Sequence, residues 1–407
     1  MISLLQHLGP EVPLTLLLLA LLGFRARVNC KVSLFIKAPP DVLWAMLNPQ
    51  DGKTDDWGRT VVVTKLIAPA SETYEMTYTT ATANGASRVF RGQFRVSARQ
   101  DGHLVVLQRA GLEGKSEHNE LLEISHVLTP EPGGSRLTTR YIWGARQLLA
   151  QLLARADLWG GAYRLKGLAE NGVPNNRPYF LISGGVALFT GLLSIGAFGF
   201  SLGYGVALLL VLALLVHEFG HLLAFRLVGQ PWGRLVFLPF LGAIAVPRLP
   251  FESQGQTVFS ALMGPAFSSL FALACLIPGL LGWHSAKAFV TLGVIIAGLN
   301  IFNMLPAEPL DGGIALRSVL SRLIGRFAPL GLMLIGLLIA GVGYALSQFV
   351  LVLFGGMAIL ANLKPRKIDT GLDPLTSLQV CIAFFSYVTI AVTHYALFYR
   401  FLRQMGL

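Results

Sequence analysis

His217-Glu218-Phe219-Gly220-His221 brings two imidazoles and a carboxylate into a stretch that is otherwise apolar, with no charge between Leu202 and Val216. An ionisable group at membrane depth costs roughly 2.5–3.5 kcal/mol even on the lenient insertion scale, so such a cluster marks a functional site. The pattern H-E-x-x-H sets two His at i and i+4 on one helix face, the spacing a single Zn²⁺ requires. The Glu between them can act as general base.

A catalytic zinc usually takes three protein ligands and keeps a fourth position open. His217 and His221 supply two. The strongest candidate for the third is Asp311, in Asn303-Met304-Leu305-Pro306-Ala307-Glu308-Pro309-Leu310-Asp311-Gly312-Gly313. Pro306 and Pro309 break the helix there, and the glycine pair allows close backbone approach. Glu308 reads either as a group supporting Asp311 or as a solvent-exposed charge at the membrane edge.

These residues need spans to carry them. The chain has 407 residues, 54% hydrophobic and 13% charged, with a mean hydropathy of +0.61. That charge content is half the soluble average of ~25% and indicates a polytopic membrane protein. The net charge of +11 comes from basic residues flanking apolar runs, so no nucleic-acid partner is expected. Cys30, Cys275 and Cys381 are far apart and form neither ligand spacing nor a disulfide framework.

Apolar runs lie at 10–24, 179–199, 202–228, 257–282, 286–305, 327–346, 348–363 and 376–399. With ~20 residues needed per crossing, about eight spans are expected. If residue 1 is outside, the cytoplasmic segments hold Arg25, Arg27 and Lys31, then Arg234 and Arg248, then Arg317, Arg322 and Arg326, then Lys364, Arg366 and Lys367. This asymmetry puts both termini outside and the candidate site near the cytoplasmic face.

Residues 28–176 are polar and interrupted by turns, so they form a soluble domain between the first two spans. Tyr74, Met76 and Tyr78 share a strand face, as do Phe90, Phe94 and Val96, and Leu137, Thr139, Tyr141 and Trp143. Asn84-Gly85, Asp101-Gly102 and Pro132-Gly133-Gly134 mark turns. A short helix is expected over 40–47 and a longer one over about 145–170, with Leu148, Leu149, Leu152, Leu153 and Ala156 on one face. The overall expectation is a polytopic α-helical membrane protein with an inserted α+β soluble domain. Its parts are a transmembrane helix (1–27), the soluble domain (28–176), a membrane catalytic domain (177–365) and a C-terminal transmembrane helix (366–407).

The opening of the soluble domain, Val32-Ser33-Leu34-Phe35-Ile36-Lys37-Ala38-Pro39-Pro40-Asp41-Val42-Leu43-Trp44, resembles the START-related helix-grip superfamily of polyketide-cyclase and lipid-transfer domains. The resemblance implies a curved sheet gripping a helix, often around an apolar cavity. It leaves open whether this copy holds an apolar ligand or has a filled core.

H-E-x-x-H on one span followed by N-x-x-P-x-x-P-L-D-G-G resembles the site-2 protease family of intramembrane zinc metalloproteases over residues 178–365. The resemblance implies His217, His221 and Asp311 as zinc ligands and Glu218 as catalytic base. It implies that Asn303 helps hold the substrate or the oxyanion. Gly264-Pro265 resembles the family's G-P, with close helix packing and a plain kink as competing readings. Arg234–Val246 reads as short extended strands. In the family such a loop offers an edge to an unwound substrate, which makes Phe237 and Gly242 candidate substrate-binding residues; a re-entrant connector is the alternative.

The implied activity is hydrolysis of a peptide bond in or near a transmembrane segment, in a bacterial cytoplasmic (inner) membrane, with the bilayer and a membrane-protein substrate as partners. A competing reading makes the chain a non-catalytic, membrane-anchored binding module whose helix-grip domain senses or presents an apolar ligand. A prenyl-protein type of protease would want a downstream Glu ligand rather than the proline-framed L-D-G-G.

Overall fold

The computed structural model describes residues 25–56, 60–81, 87–110, 121–175, 177–239, 242–248, 251–282, 286–363 and 372–406. The expected first span (10–24) and the Asn84-Gly85 turn lie outside them. The chain divides into two compact units, Met1–Val186 and Ala187–Leu407.

The first unit is built on an eight-stranded antiparallel sheet in the order β1-β8-β7-β6-β5-β4-β3-β2. Its strands are β1 (Arg25–Ile36), β2 (Thr54–Asp56), β3 (Thr60–Ala68), β4 (Thr73–Ala81), β5 (Ser87–Gln100), β6 (Leu104–Arg109), β7 (Leu121–Glu131) and β8 (Gly134–Gln147). β1 therefore begins at Arg25, and the expected transmembrane boundary at residue 27 is corrected: Arg25 to Arg27 pair with Gln147 to Ala145. The reason is visible in the alternation, since Val28, Cys30 and Val32 are buried while Arg27, Asn29 and Lys31 are exposed. Gly102 and Gly133 take positive φ in the β5–β6 and β7–β8 turns.

Helix α1 (Pro40–Leu47) starts with Pro at its first position and Asp41 in its first turn. Helix α2 (Leu148–Asn171) lies across the sheet. Ala154, Leu158 and Ala162 of α2 pack on Val28, Cys30 and Val32. Leu165 joins Ile36, Leu43, Leu128 and Leu137. This is a helix-grip-like arrangement. Of the face expected for α2, Ala156 is buried; the side chains of Leu148, Leu149, Leu152 and Leu153 lie outside the described set.

Helix α3 (Arg177–Leu202) leads into the second unit, which holds α4 (Tyr204–Leu227), the hairpin β9 (Arg234–Leu238) and β10 (Gly242–Val246), and α5 (Gln254–Ala274). After these come the turn α6 (Ile277–Leu280), α7 (Ala286–Asn303), α8 (Asp311–Ile324), α9 (Ala328–Ala345), α10 (Phe349–Asn362) and α11 (Ser377–Met405). Thr376 and Gln379 form a capping box at the start of α11.

The protein is a membrane protein, but the expectation of eight spans is not met among the described residues. Five stretches are long and apolar enough to cross: Phe180–Leu202, Tyr204–Leu227, Gln254–Leu280, Asp311–Ala345 and Ser377–Met405. The runs at 286–305 and 348–363 form shorter apolar helices, Lys287–Asn303 and Leu351–Asn362. Within Asp311–Ala345 the uncharged part is α9; α8 carries Arg317 and Arg322 and was not foreseen as a separate helix. Leu181, Leu208, Leu338 and Phe385 stand exposed, as side chains facing hydrocarbon can.

Candidate metal centre

Helix α4 presents His217, Glu218 and His221 on consecutive turns, and all three are buried. The Nε2 atoms of His217 and His221 lie 3.0 Å apart. Asp311, first residue of α8, places Oδ2 3.1 Å from His217 Nε2 and 3.5 Å from His221 Nε2. The three expected ligands, drawn from two helices, therefore converge. A Glu218 carboxylate oxygen completes a group with the two His whose ligand atoms all lie within 4.8 Å of one another.

The other ring nitrogens define the tautomers. His221 Nδ1 is 2.7 Å from the Ser260 carbonyl oxygen, which can only accept. His217 Nδ1 is 2.8 Å from Asn300 Oδ1. The Asn300 amide nitrogen donates to the Ile296 carbonyl at 2.8 Å, so the oxygen is the atom facing His217. Both Nδ1 atoms thus carry the proton, and both Nε2 atoms carry a lone pair. Two lone pairs and a carboxylate aimed at one point repel unless a cation lies between them. This donor set fits Zn²⁺, with both histidines oriented by hydrogen bonds to their second nitrogens.

Close backbone packing makes the convergence possible. A Cβ on Gly264 would fall 2.4 Å from His221 Nε2, and one on Gly220 would fall 2.4 Å from the Met263 carbonyl oxygen. Gly264-Pro265 therefore serves close helix packing. Added Cβ atoms on Gly312 and Gly313 would meet the backbones of Met304 and Ala307 at 2.3 and 2.4 Å. The loop before Asp311 is held from several sides. Tyr387 of α11 donates to the Met304 carbonyl at 2.6 Å. Asn362 of α10 donates to the Pro306 carbonyl at 3.2 Å. Glu308 pairs with the buried Arg317 rather than facing solvent.

Asn303 brings Nδ2 to 3.3 Å from His217 Nε2, beside the candidate ligands. Asn300 was not anticipated from sequence; its signal is a buried amide one helical turn before Asn303. His394 is fully buried, with Nε2 3.0 Å from Ser269 Oγ and 2.9 Å from the Pro265 carbonyl.

The Arg234–Val246 segment is an antiparallel hairpin. Phe237 does not occupy the expected substrate-facing position. Its ring is buried with Phe198, Ala207, Val211 and Leu214, and its amide donates to Thr190 Oγ1 at 3.1 Å. Because that amide points away from β10, the pair Phe237–Ala243 is a non-hydrogen-bonded one. Alternation then turns the backbone groups of Ala243 and Ala245 outward, away from β9. Gly242 begins this strand at φ +116, a conformation that glycine supplies. The hairpin packs on Leu214, one turn before His217.

No family model matches the chain. A solved site-2 protease from Methanocaldococcus jannaschii is 18% identical, with a TM-score of 0.30, covering 45% of this chain and 90% of that one. A di-domain ARO/CYC protein from the steffimycin biosynthetic pathway is 17% identical, with a TM-score of 0.27, covering 36% of this chain and 51% of that one. A zinc metalloprotease of Methanocaldococcus jannaschii is 27% identical over 121 residues, 29% of this chain and 35% of the relative. The chain spans about a third of the length of the curated relatives it matches. In sequence, over about 30% of its length, the chain resembles zinc metalloproteases.

Proposed function

We propose that the protein is an intramembrane zinc metalloendopeptidase of the site-2 type, cutting a peptide bond in or near a transmembrane segment of a membrane-anchored substrate. The observation that carries this reading is the convergence of His217, His221 and Asp311 beside the buried Glu218. The competing reading, a membrane half serving only as an anchor, gives no reason for ionisable groups to be gathered there at such cost.

His217, His221 and Asp311 would hold Zn²⁺, which supplies Lewis acidity to water and to the scissile carbonyl. Glu218 takes the proton of the attacking water and returns it to the leaving amine. The Asn303 side-chain amide donates to the carbonyl oxygen as negative charge develops there. A substrate helix has its backbone bonds satisfied and must unwind before it can be cut. The outward groups of Ala243 and Ala245 offer replacement partners for the unwound strand. The excess of arginine in this part of the sequence, Arg234, Arg248, Arg322 and Arg326, supports an orientation with the site toward the cytoplasm. The soluble domain gates or recruits substrate, and unchanged cleavage after its deletion would reject that role.

The test is zinc content and cleavage of a model transmembrane substrate in proteoliposomes, for wild type and Glu218→Gln. The expected result is zinc retained in both and cleavage lost in the variant. Equal cleavage rejects the catalytic assignment.

A further inference from the structure

Helix α11 supplies none of the candidate metal ligands, and it begins beyond residue 365, past the stretch that carries the resemblance to metalloproteases. Its contacts nevertheless fall on the elements that build the metal centre. Val380, Tyr387, His394 and Phe401 recur every seven residues and so lie along one face. Val380 packs in the cluster that holds Met304 and Val319. The Tyr387 hydroxyl donates to the Met304 carbonyl at 2.6 Å, in the loop that leads to Asp311. His394 Nε2 lies 2.9 Å from the Pro265 carbonyl, beside the glycine that abuts His221. A Cβ on Gly293 of α7 would run into the Phe401 ring, so α11 also lies close against the helix that carries Asn300 and Asn303.

Packing alone does not call for the two polar groups. Phenylalanine would fill the space of Tyr387 without its hydroxyl. His394 is fully buried, and its Nδ1 finds no hydrogen-bond partner among the described residues. Burying such a group costs free energy that a leucine would avoid. Each polar group has a backbone reason to be there. Met304 opens an irregular segment, and a loop carbonyl at membrane depth needs a donor from within the protein. Pro265 has no N–H, so α5 lacks a helical bond at the place where Gly264 meets His221. The Pro265 carbonyl instead collects two side-chain donors, Ser269 Oγ at 3.1 Å and His394 Nε2. A carbonyl only accepts, so the His394 proton sits on Nε2.

We propose that Tyr387 and His394 are positioning residues for the metal centre. Tyr387 fixes the loop that aims Asp311. His394 fixes the part of α5 that seats Gly264 against His221. Because one helix carries both, α11 sets where the Asp311 carboxylate stands relative to the His221 imidazole. The inference rests on the metal-centre reading above and deepens it.

The test uses the full chain in lipid nanodiscs, stripped of metal and titrated with Co²⁺, whose visible absorption reports its ligand geometry. Wild type is expected to bind one Co²⁺ per chain. Tyr387→Phe and His394→Leu should each weaken that binding about tenfold or more and alter the spectrum at saturation. His394→Gln keeps a donor and should bind within a few-fold of wild type. Tyr395→Phe makes the same chemical change on the exposed side of α11 and should match wild type. Melting of each metal-free chain separates positioning from packing. A lower melting temperature with wild-type Co²⁺ affinity and spectrum overturns the proposal. So does an equal loss in His394→Leu and His394→Gln, which would mean that the hydrogen bond is not what matters. If His394→Leu does not fold, Tyr387→Phe, which removes a single oxygen, decides the question. Wild type that binds no Co²⁺ rejects the metal centre itself, and the proposal falls with it; wild type that binds while Tyr387→Phe and His394→Leu are unchanged overturns the positioning role alone.

Discussion

Gly264 of α5 lies so close to His221 of α4 that a Cβ would come within 2.4 Å of the ring nitrogen that faces Asp311. His221 cannot simply swing aside, because its other nitrogen is bound to the Ser260 carbonyl at 2.7 Å. Gly264→Ala is therefore expected to displace a ligand while leaving its chemistry intact. Zinc affinity should fall about 10–100-fold, the range seen when the groups orienting a metal ligand are lost. Zinc titration against a competing chelator measures this. Unchanged affinity would show that the helices can separate at no cost to the site.

Asn300 is the group that sets the His217 tautomer, through a 2.8 Å bond to Nδ1. Asn300→Leu keeps the volume but leaves that N–H unpaired in a buried place. Zinc affinity is expected to drop about 10–100-fold, whereas Asn300→Asp keeps an acceptor and should bind within a few-fold of wild type. Equal losses in the two variants would assign Asn300 a packing role instead.

Much of this centre is legible in the sequence, for physical reasons that differ between residues. His217 and His221 are readable because a four-residue separation on a helix leaves them on one face. Asp311 is readable because two prolines and two glycines around it announce an irregular backbone at membrane depth. Asn300 escapes because an amide carries no charge, so it barely disturbs an apolar run; only the fold reveals that its partner is 83 positions away. The hairpin is readable as strands, but its orientation is not. Which of its two faces is buried depends on Thr190 and Leu214, which lie in helices earlier in the chain. The boundary at Arg25 is misread because basic residues beside an apolar run look like a membrane flank, while in the fold Arg25 to Arg27 pair with β8 and Arg27 and Lys31 are exposed alternates of β1. The eight-span expectation is not confirmed among the described residues, because hydropathy alone does not separate a full crossing from shorter apolar helices such as Leu351–Asn362.

Asn303 differs from Asn300 in what it can touch. Its amide nitrogen stands beside the ligand atom of His217 rather than behind the ring. Asn303→Ala is expected to leave zinc content near wild type and to lower kcat by about 10²–10³-fold, as loss of a single oxyanion donor does. KM should change little. Parallel loss of zinc and activity would move Asn303 into the group that only holds the metal ligands.

His126 should make the soluble unit sensitive to acid. In the folded chain burial holds its imidazole neutral down to about 4, against 6.5 for an ordinary histidine. Between those values the unfolded chain takes up a proton that the folded chain refuses, so protonation pulls toward unfolding. The stability that depends on neutral His126 is complete above pH 6.5 and is lost as the pH falls toward 4. A difference of this size corresponds to at most about 3 kcal/mol. Melting of the full chain followed at pH 7.5, 6, 5 and 4.5 should show the decline, and His126→Gln should flatten it. The bound Thr139 hydroxyl, 3.0 Å away, can pair with a glutamine amide, so the variant should stay folded at neutral pH. A decline of equal steepness in the variant would place the acid sensitivity in other groups.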